Sequence, residues 1–263
     1  MDNILGKPPL AILHVPHSSV LIPERERGAI RISEAELAVE LLRMTDYFTD
    51  HLFTCEASNR KVVYPVSRLV CDPERFVNDE DEPMAEKGFG IIYEKTSTGR
   101  PLRVKPSSSE RERILEQYYR PHHEVLTKSV DKVLEHWGRC LIIDCHSFSS
   151  IPLPFEDETL MRPDICIGTD DFHTPSWLKD IAISFFEEQR LSVLPNEPYS
   201  GTLVPLKHLE HYENVWSVMI EVNRKLYLNE KTGERSVDCY KTHDEIGTVL
   251  NKLIHEAEIH TYS

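Results

Sequence analysis

The chain has 263 residues, of which 40% are hydrophobic and only 10 are glycine, so it can bury a sizeable core and is neither disordered nor fibrous. Acidic residues outnumber Lys and Arg by 44 to 30, and the net charge of −14 argues against nucleic acid as a partner. No apolar run reaches the roughly 20 residues that span a bilayer. The first residues carry no signal pattern, and the six cysteines form no CxxC pair, so we expect a cytoplasmic protein.

Apolar periodicity and helix-capping patterns predict the elements. In chain order they are a strand over 9–15, a helix from Ser33, a strand over 61–66, a helix over 109–137, strands over 140–145 and 165–168, a helix over 177–189, a strand over 216–222 and a helix over 242–259. Ser33 and Ser109 are each followed three residues later by a glutamate, which is the spacing of a capping box. Pro121 is expected to kink or divide the helix that contains it.

Strands alternate with helices and are continuous apolar runs, which predicts a single α/β domain over residues 1–263 around a mostly parallel sheet. Residues 78–109 are acidic and then rich in Gly, Ser and Pro, so we expect them to form a long excursion from this domain. Ligands of open α/β sheets bind at the carboxyl ends of the strands. Four runs leave polar residues there, namely His14 and His17, then Arg68, Asp72 and Arg75, then Asp144 and His146, and finally Glu221 and Arg224.

Imidazoles beside carboxylates suit a divalent transition metal, zinc above all. His17 and His146 directly follow or end apolar runs, which favours them as ligands, whereas His14 lies inside a strand and is either a ligand or a packed core residue. Asp144 is expected either to orient a ligand imidazole or to bridge to a loop. A carboxylate in the apolar run around Glu221 is expensive to bury, which favours either a general base or a salt bridge to Arg224.

The arginines near the strand ends suggest a small anionic substrate, because a guanidinium fork is the natural partner of a carboxylate. Arg68, Arg75 and Arg224 end apolar runs, and Arg120 lies beside the predicted helix kink. Ser147 and Tyr93 are further candidates for contacts with the substrate.

Several motifs, in order over roughly residues 9–230, resemble the N-formylglutamate amidohydrolase (deformylase) family. They are His14-Val15-Pro16-His17-Ser18-Ser19 with Ile22-Pro23, Thr45-Asp46-Tyr47-Phe48-Thr49-Asp50, Ser67-Arg68-Leu69-Val70 with Asp72 and Arg75, Asp144-Cys145-His146-Ser147-Phe148, Arg162-Pro163-Asp164 with Ile167-Gly168-Thr169, Pro198-Tyr199-Ser200-Gly201-Thr202, and Glu221-Val222-Asn223-Arg224. Two departures are Tyr47, where the family usually has Trp, and Glu74, where it has Asn.

The resemblance implies a three-layer α/β/α sandwich with a mixed, mostly parallel sheet, related to the zinc carboxypeptidases. It implies one zinc ion held by His17, His146 and an acidic third ligand, for which Asp46 is our choice. Glu221 matches the general base that activates water, and Arg75 matches the arginine that holds the substrate's carboxylate. With Arg68 holding the oxyanion, the predicted activity is hydrolysis of the N-formyl or N-acyl amide of a small acidic amino acid such as N-formylglutamate.

Three alternatives stay open at this stage, and the oligomeric state is not readable. One is a carboxypeptidase-like peptidase on the same scaffold, and another is a non-catalytic protein that binds an acidic metabolite. The third is serine chemistry through Ser147, which is disfavoured because the chain has no Gly-x-Ser-x-Gly elbow.

Overall fold

The computed structural model describes residues 9–262. The chain's first residues, on which the expectation of no signal peptide rests, lie outside this range. The strands are β1 (Ala11–Val15), β2 (Lys61–Val63), β3 (Cys140–Phe148), β4 (Ile165–Gly168), β5 (Val193–Pro195), β6 (Val215–Asn223), β7 (Leu228–Asn229) and β8 (Glu234–Arg235). The helices are α1 (Glu24–Arg27), α2 (Glu34–Met44), α3 (Thr49–Leu52), α4 (Ser108–Ile114), α5 (Arg120–Trp137), α6 (Ser176–Glu188) and α7 (Cys239–Thr261).

The six strands β1–β6 form one sheet in the order β2-β1-β3-β6-β4-β5. Neighbouring strands are parallel, except that β4 runs antiparallel to β6. Helix α5 packs on β1, β2 and β3, whereas α7 packs against α3 and α6, of which α3 contacts β3 and α6 contacts β4 and β5. The mixed, mostly parallel sheet with helices around it confirms the predicted α/β/α fold.

The two central strands are longer than predicted, and their register determines the site. Every residue of β3 and β6 is buried, because both strands lie in the middle of the sheet with layers on each side. His146 of β3 is the register partner of Glu221 of β6. Since side chains at paired positions of parallel strands point to the same face, these two lie side by side near the carboxyl ends of their strands.

Several predicted details are corrected by the structure. The capping box before the long helix is formed by Ser107 and Glu110, not by Ser109. The division expected at Pro121 falls slightly earlier, in a π-helical turn over Leu115–Tyr119, and Pro121 lies in the first turn of α5, where a missing N–H costs little. Strand β5 was not predicted, because its three residues are only partly buried or exposed and do not form an apolar run.

Residues 78–109 contribute to the core in spite of their polar composition. Up to the start of α4 this stretch has only isolated bridge pairings, yet Phe89, Tyr93 and Leu102 are buried in a cluster with Leu69. None of the helices within residues 9–262 is both long enough and apolar enough to cross a membrane. All six cysteines are free thiols, and five of them are buried.

Candidate metal centre

Three potential metal ligands meet at the carboxyl edge of the sheet. His17 lies two residues beyond β1, Asp46 follows the end of α2, and His146 lies within β3. The backbone N–H of Asp46 donates to the carbonyl of His17 at 3.0 Å, which joins the two loops. Ligand atoms of the three residues all lie within 4.8 Å of one another, and the side chains are almost fully buried, with exposures of 2%, 2% and 4%.

Each of the three side chains directs one ligand atom toward the others. Oδ2 of Asp46 lies 3.2 Å from Nδ1 of His146 and 3.7 Å from Nδ1 of His17. Nδ1 of His17 is buried and has no hydrogen-bond partner among residues 9–262. An unpartnered buried nitrogen is costly, and a cation between the three atoms would relieve that cost.

The opposite atoms of the same side chains are held by other groups. Nε2 of His17 lies 2.9 Å from Oδ1 of Asp72, and Nε2 of His146 lies 3.1 Å from Glu74 and 3.2 Å from Asp144. A carboxylate on the far nitrogen is the usual support of a metal-binding imidazole, since it fixes the tautomer and the ring orientation.

The pKa shifts show that this cluster favours positive charge. Burial lowers the pKa of His146, but the carboxylates of Glu74 and Asp144 outweigh burial, so the pKa lies well above its usual value. Burial also opposes the charged form of Asp46, yet its contacts with His146 and His17 and the nearby charge of Arg224 hold the pKa below the usual range. A divalent cation would neutralise the same carboxylates that protons on the imidazoles neutralise here.

Glu221 lies beside His146, as the register of β3 and β6 requires. Its side chain is 7% exposed, and Oε2 has no hydrogen-bond partner within the described part of the chain. Burial raises the pKa of Glu221 to about 8. The alternative that Glu221 only forms a salt bridge with Arg224 is not supported, because Arg224 donates its hydrogen bonds elsewhere.

Arg224, which was predicted to contact the substrate, lines the cavity and also holds a ligand. It lies in a short 3-10 turn directly after β6, where it donates to Oδ1 of Asp46 at 2.9 Å and to the carbonyl of Arg43 at 2.7 Å. Its Nε donates to Oγ of Ser147 at 3.2 Å, so this hydroxyl supports Arg224. With its donors engaged in this way, Arg224 fixes the carboxylate of Asp46.

Arg68, Tyr93 and Arg75 surround the buried carboxylate of Asp72. Arg68 and the hydroxyl of Tyr93 both donate to Oδ2 of Asp72, at 2.8 and 2.5 Å. Arg75 is 3.7 Å from Asp72 and 3.7 Å from Glu82, and its Nε has no hydrogen-bond partner within residues 9–262. Arg75 therefore has a donor to offer to a ligand.

Arg120 lies apart from the ligand atoms, whereas His14 belongs to a second group, with Glu74 and Asp144, that could hold a cation. Arg120 does not line the cavity: its exposed guanidinium pairs with Glu112 and Glu116 on the surface of the helix. The prediction rested on the position of Arg120 beside the helix kink, but its side chain points away from the cavity at the sheet edge. Nδ1 of His14 bonds to Asp144 at 2.8 Å and Nε2 bonds to His122 at 2.9 Å, so both of its nitrogens are engaged.

Some residues at the site were not predicted. They include His122 on α5, Glu156 and Arg162, none of which lies at the end of an apolar run in the sequence. Arg162 was named only as part of a family motif, because its position in a loop does not show from the sequence which residues it contacts.

The ligand cluster opens into a cavity of about 500 Å³. One wall comes from the excursion over 78–109, which contributes Met84, Lys87, Phe89 and Tyr93. The lining also includes Phe148, Tyr199 and Arg162, together with His17, His146 and Glu221. A mixed apolar and cationic cavity of this size fits a small organic anion.

A buried histidine–carboxylate cluster beside an unpartnered glutamate, at the carboxyl edge of an α/β sheet, is typical of metal-dependent hydrolases. Comparison with known proteins agrees with this class. A profile of the N-formylglutamate amidohydrolase family matches residues 10–228, so the chain belongs to the N-formylglutamate amidohydrolase family. It is an enzyme of the class that hydrolyses linear amide bonds other than peptide bonds.

One relative in sequence is an N-formylglutamate deformylase of Pseudomonas putida. It is 27% identical over 243 residues, which cover 88% of this chain and 87% of the relative. A solved structure with the same fold is that of an N-formylglutamate amidohydrolase from Ralstonia eutropha, with a TM-score of 0.81, 20% identity and coverage of 96% of this chain and 95% of that one. A gene product of Agrobacterium tumefaciens is a more distant match, with a TM-score of 0.59, 20% identity and coverage of 93% and 92%.

Proposed function

We propose that the protein hydrolyses the N-formyl or N-acyl amide of a small acidic amino acid, such as N-formylglutamate, with the help of one bound zinc ion. The observation that carries this proposal is the meeting of His17, Asp46 and His146 beside the buried carboxylate of Glu221. Family membership supports the amide as the bond that is cleaved, and the deformylase relative supports the N-formylated substrate.

The donor set fits a zinc ion. Two imidazole nitrogens and one carboxylate oxygen are the ligands of many catalytic zinc sites, and each of the three side chains is held from behind, by Asp72, by Glu74 and Asp144, or by Arg224. The unpartnered Nδ1 of His17 is the local sign that a ligand belongs there. Such an ion supplies a Lewis acid for the amide carbonyl and for water.

The protein's own groups perform the proton transfers. The carboxylate of Glu221 accepts a proton from the attacking water and later delivers it to the departing amine. Its burial supports this role, since a carboxylate with a raised pKa both takes and returns a proton near neutral pH. Arg68, tied to Asp72 and Tyr93 at the wall of the cavity, is positioned to donate to the oxyanion as the amide carbon becomes tetrahedral.

Arg75 is the proposed partner of the substrate's carboxylate. Its guanidinium faces the cavity, and the acids nearest to it lie 3.7 Å away, which leaves room for a closer contact with a ligand. The short hydrogen bond from Tyr93 to Asp72 fixes the orientation of this wall of the cavity. Arg120 has no part in substrate binding in this proposal, because its guanidinium pairs with Glu112 and Glu116 on the helix surface.

The test is elemental analysis of the purified protein together with an assay of formate release from N-formylglutamate before and after chelation. We expect about one zinc per chain, loss of formate release on chelation and recovery when zinc is added. N-acetylglutamate and a dipeptide serve as comparison substrates for the N-acyl and peptidase activities. A chelated protein with undiminished formate release would refute the metal, and no formate release by zinc-loaded protein would refute the activity.

A further inference from the structure

A second group of polar side chains lines the same cavity and takes no part in the chemistry above. It consists of Arg162, Glu156 and Tyr199, here called the Arg162 cluster. Arg162 and Glu156 belong to the connection between β3 and β4, and Tyr199 follows β5. The cluster shares the cavity with His146 and Glu221, so it lies within the space that a substrate enters.

The guanidinium of Arg162 is held in place by groups at the end of the sheet. Its Nη1 donates to the carbonyl of Ser149 at 2.8 Å, and its Cζ lies 5.6 Å from the ring centre of Phe148 and 5.9 Å from that of Tyr199. The side chain is only 8% exposed. Its Nε is buried and has no hydrogen-bond partner among the residues that the structure describes. A half-satisfied guanidinium in this position needs a carboxylate.

The carboxylate of Glu156 occupies this position. One of its oxygens accepts hydrogen bonds from Arg162 and from the backbone N–H of Leu153, and the other accepts from the hydroxyl of Tyr199. Glu156, Arg162 and Tyr199 all lie in loops, with Arg162 shortly before β4 and Tyr199 shortly after β5. The carboxylate of Glu156 therefore fills a receptor that residues of two neighbouring loops form together.

The group bound in this receptor is the side chain of a glutamate, the same group that the distal end of N-formylglutamate presents. We propose that Arg162 and Tyr199 bind the distal carboxylate of the substrate, and that Glu156 occupies this receptor until the substrate displaces it. This inference rests on the proposed function. Arg75, which lines the cavity together with Tyr93, then holds the other carboxylate.

The exchange keeps Arg162 paired at every stage, because one carboxylate replaces another. A buried cation is therefore never left without a partner, which would be strongly destabilising. The consequence is a weaker apparent affinity. If Glu156 fills the receptor nine times in ten, a dicarboxylate binds about tenfold more weakly than it would to an empty receptor. A substrate with an uncharged side chain does not compete for the receptor and is not affected.

The test is Glu156→Gln, which removes the charge and keeps the size, compared with Asp157→Asn as a matched control. Asp157 also lines the cavity, but its bonds run to Thr159 within its own loop. We expect Glu156→Gln to lower the KM for N-formylglutamate by about three- to tenfold, with little change in kcat. The KM for N-formylglutamine should stay as in the wild type, and Asp157→Asn should shift neither value.

The inference is overturned if Glu156→Gln raises or leaves unchanged the KM for N-formylglutamate, or if it changes the KM for both substrates alike, as a structural role would. A second variant, Arg162→Gln, should raise the KM for N-formylglutamate alone. Should the zinc-loaded wild type release no formate, the proposed function fails and the receptor is tested by calorimetry with glutarate. Glutarate must then bind Glu156→Gln about threefold or more tightly than wild type, and equal binding overturns the inference.

Discussion

Replacing Glu221 with glutamine separates the cost of burying this carboxylate from its use in catalysis. In the folded, metal-free protein the pKa of Glu221 rises from 4.5 to about 8 because the group is buried. Between these two pH values the folded chain retains a proton that the unfolded chain has released, so raising the pH favours unfolding. The free energy of unfolding falls by about 1.4 kcal/mol for each pH unit in this interval, or several kcal/mol in all.

Glutamine does not titrate, so the variant loses this contribution. With a chelator present, we expect the metal-free wild type and Glu221→Gln to have similar stability near pH 5, and the variant to be more stable near pH 8. Urea unfolding at both pH values measures the difference. Loaded with zinc, the same variant should retain the metal but lose about 10²-fold or more in turnover, because the carboxylate that accepts the water's proton is gone.

Glu221→Asp is the matched control, since it retains a titrating carboxylate on a shorter stem. It should keep the pH dependence of stability while turnover falls. If Glu221→Gln has the same pH dependence of unfolding as the wild type, then burial does not raise the pKa of this group. If its turnover is near normal, Glu221 is not the general base.

Three further predictions concern groups around the ligands. Asp72→Asn should weaken zinc binding about 10- to 100-fold, measured by competition with a chelator, because Nε2 of His17 loses its carboxylate partner at 2.9 Å; unchanged affinity would contradict that role. Arg75→Gln should raise the KM for N-formylglutamate about 10- to 100-fold with kcat little changed, and a fall confined to kcat would count against it. Burial lowers the pKa of His122 to about 2, so the unfolded chain binds the extra proton as the pH falls below 6.5. Stability should therefore drop by about 1.4 kcal/mol per pH unit there, and unfolding of His122→Gln at pH 6.5 and pH 5 should show a shallower drop.

The central strands and the polar residues at their ends could be predicted because both follow from local chain order. A continuous apolar run such as that ending in His146 marks a buried strand, and parallel strands bring their carboxyl ends to one edge. Asp46 is different, since nothing in its local pattern marks a ligand. Only the resemblance to a family pointed to it, and the backbone bond from Asp46 to His17 that joins the two loops depends on the tertiary fold.

The arginines show where prediction from position fails. Arg224 and Arg75 both follow apolar runs and both line the cavity, yet Arg224 donates to Asp46 whereas Nε of Arg75 has no hydrogen-bond partner within residues 9–262. The difference arises from the 3-10 turn after β6, which directs Arg224 back toward the ligands. Arg162 could not be assigned at all, because its partners Glu156 and Tyr199 come from separate loops.

The role of Glu74 is explained by its contacts with the ligands. Its Oε1 lies 3.1 Å from Nε2 of His146 and its Oε2 lies 3.6 Å from Nε2 of His17, so its negative charge faces the far nitrogens of both imidazoles. A carboxylate there makes the imidazoles better donors to a cation than an amide would. The carboxylate of Glu74 therefore strengthens the affinity of the ligand cluster for a metal ion, while Arg75 and Arg162 in the cavity lining remain available to an anionic substrate.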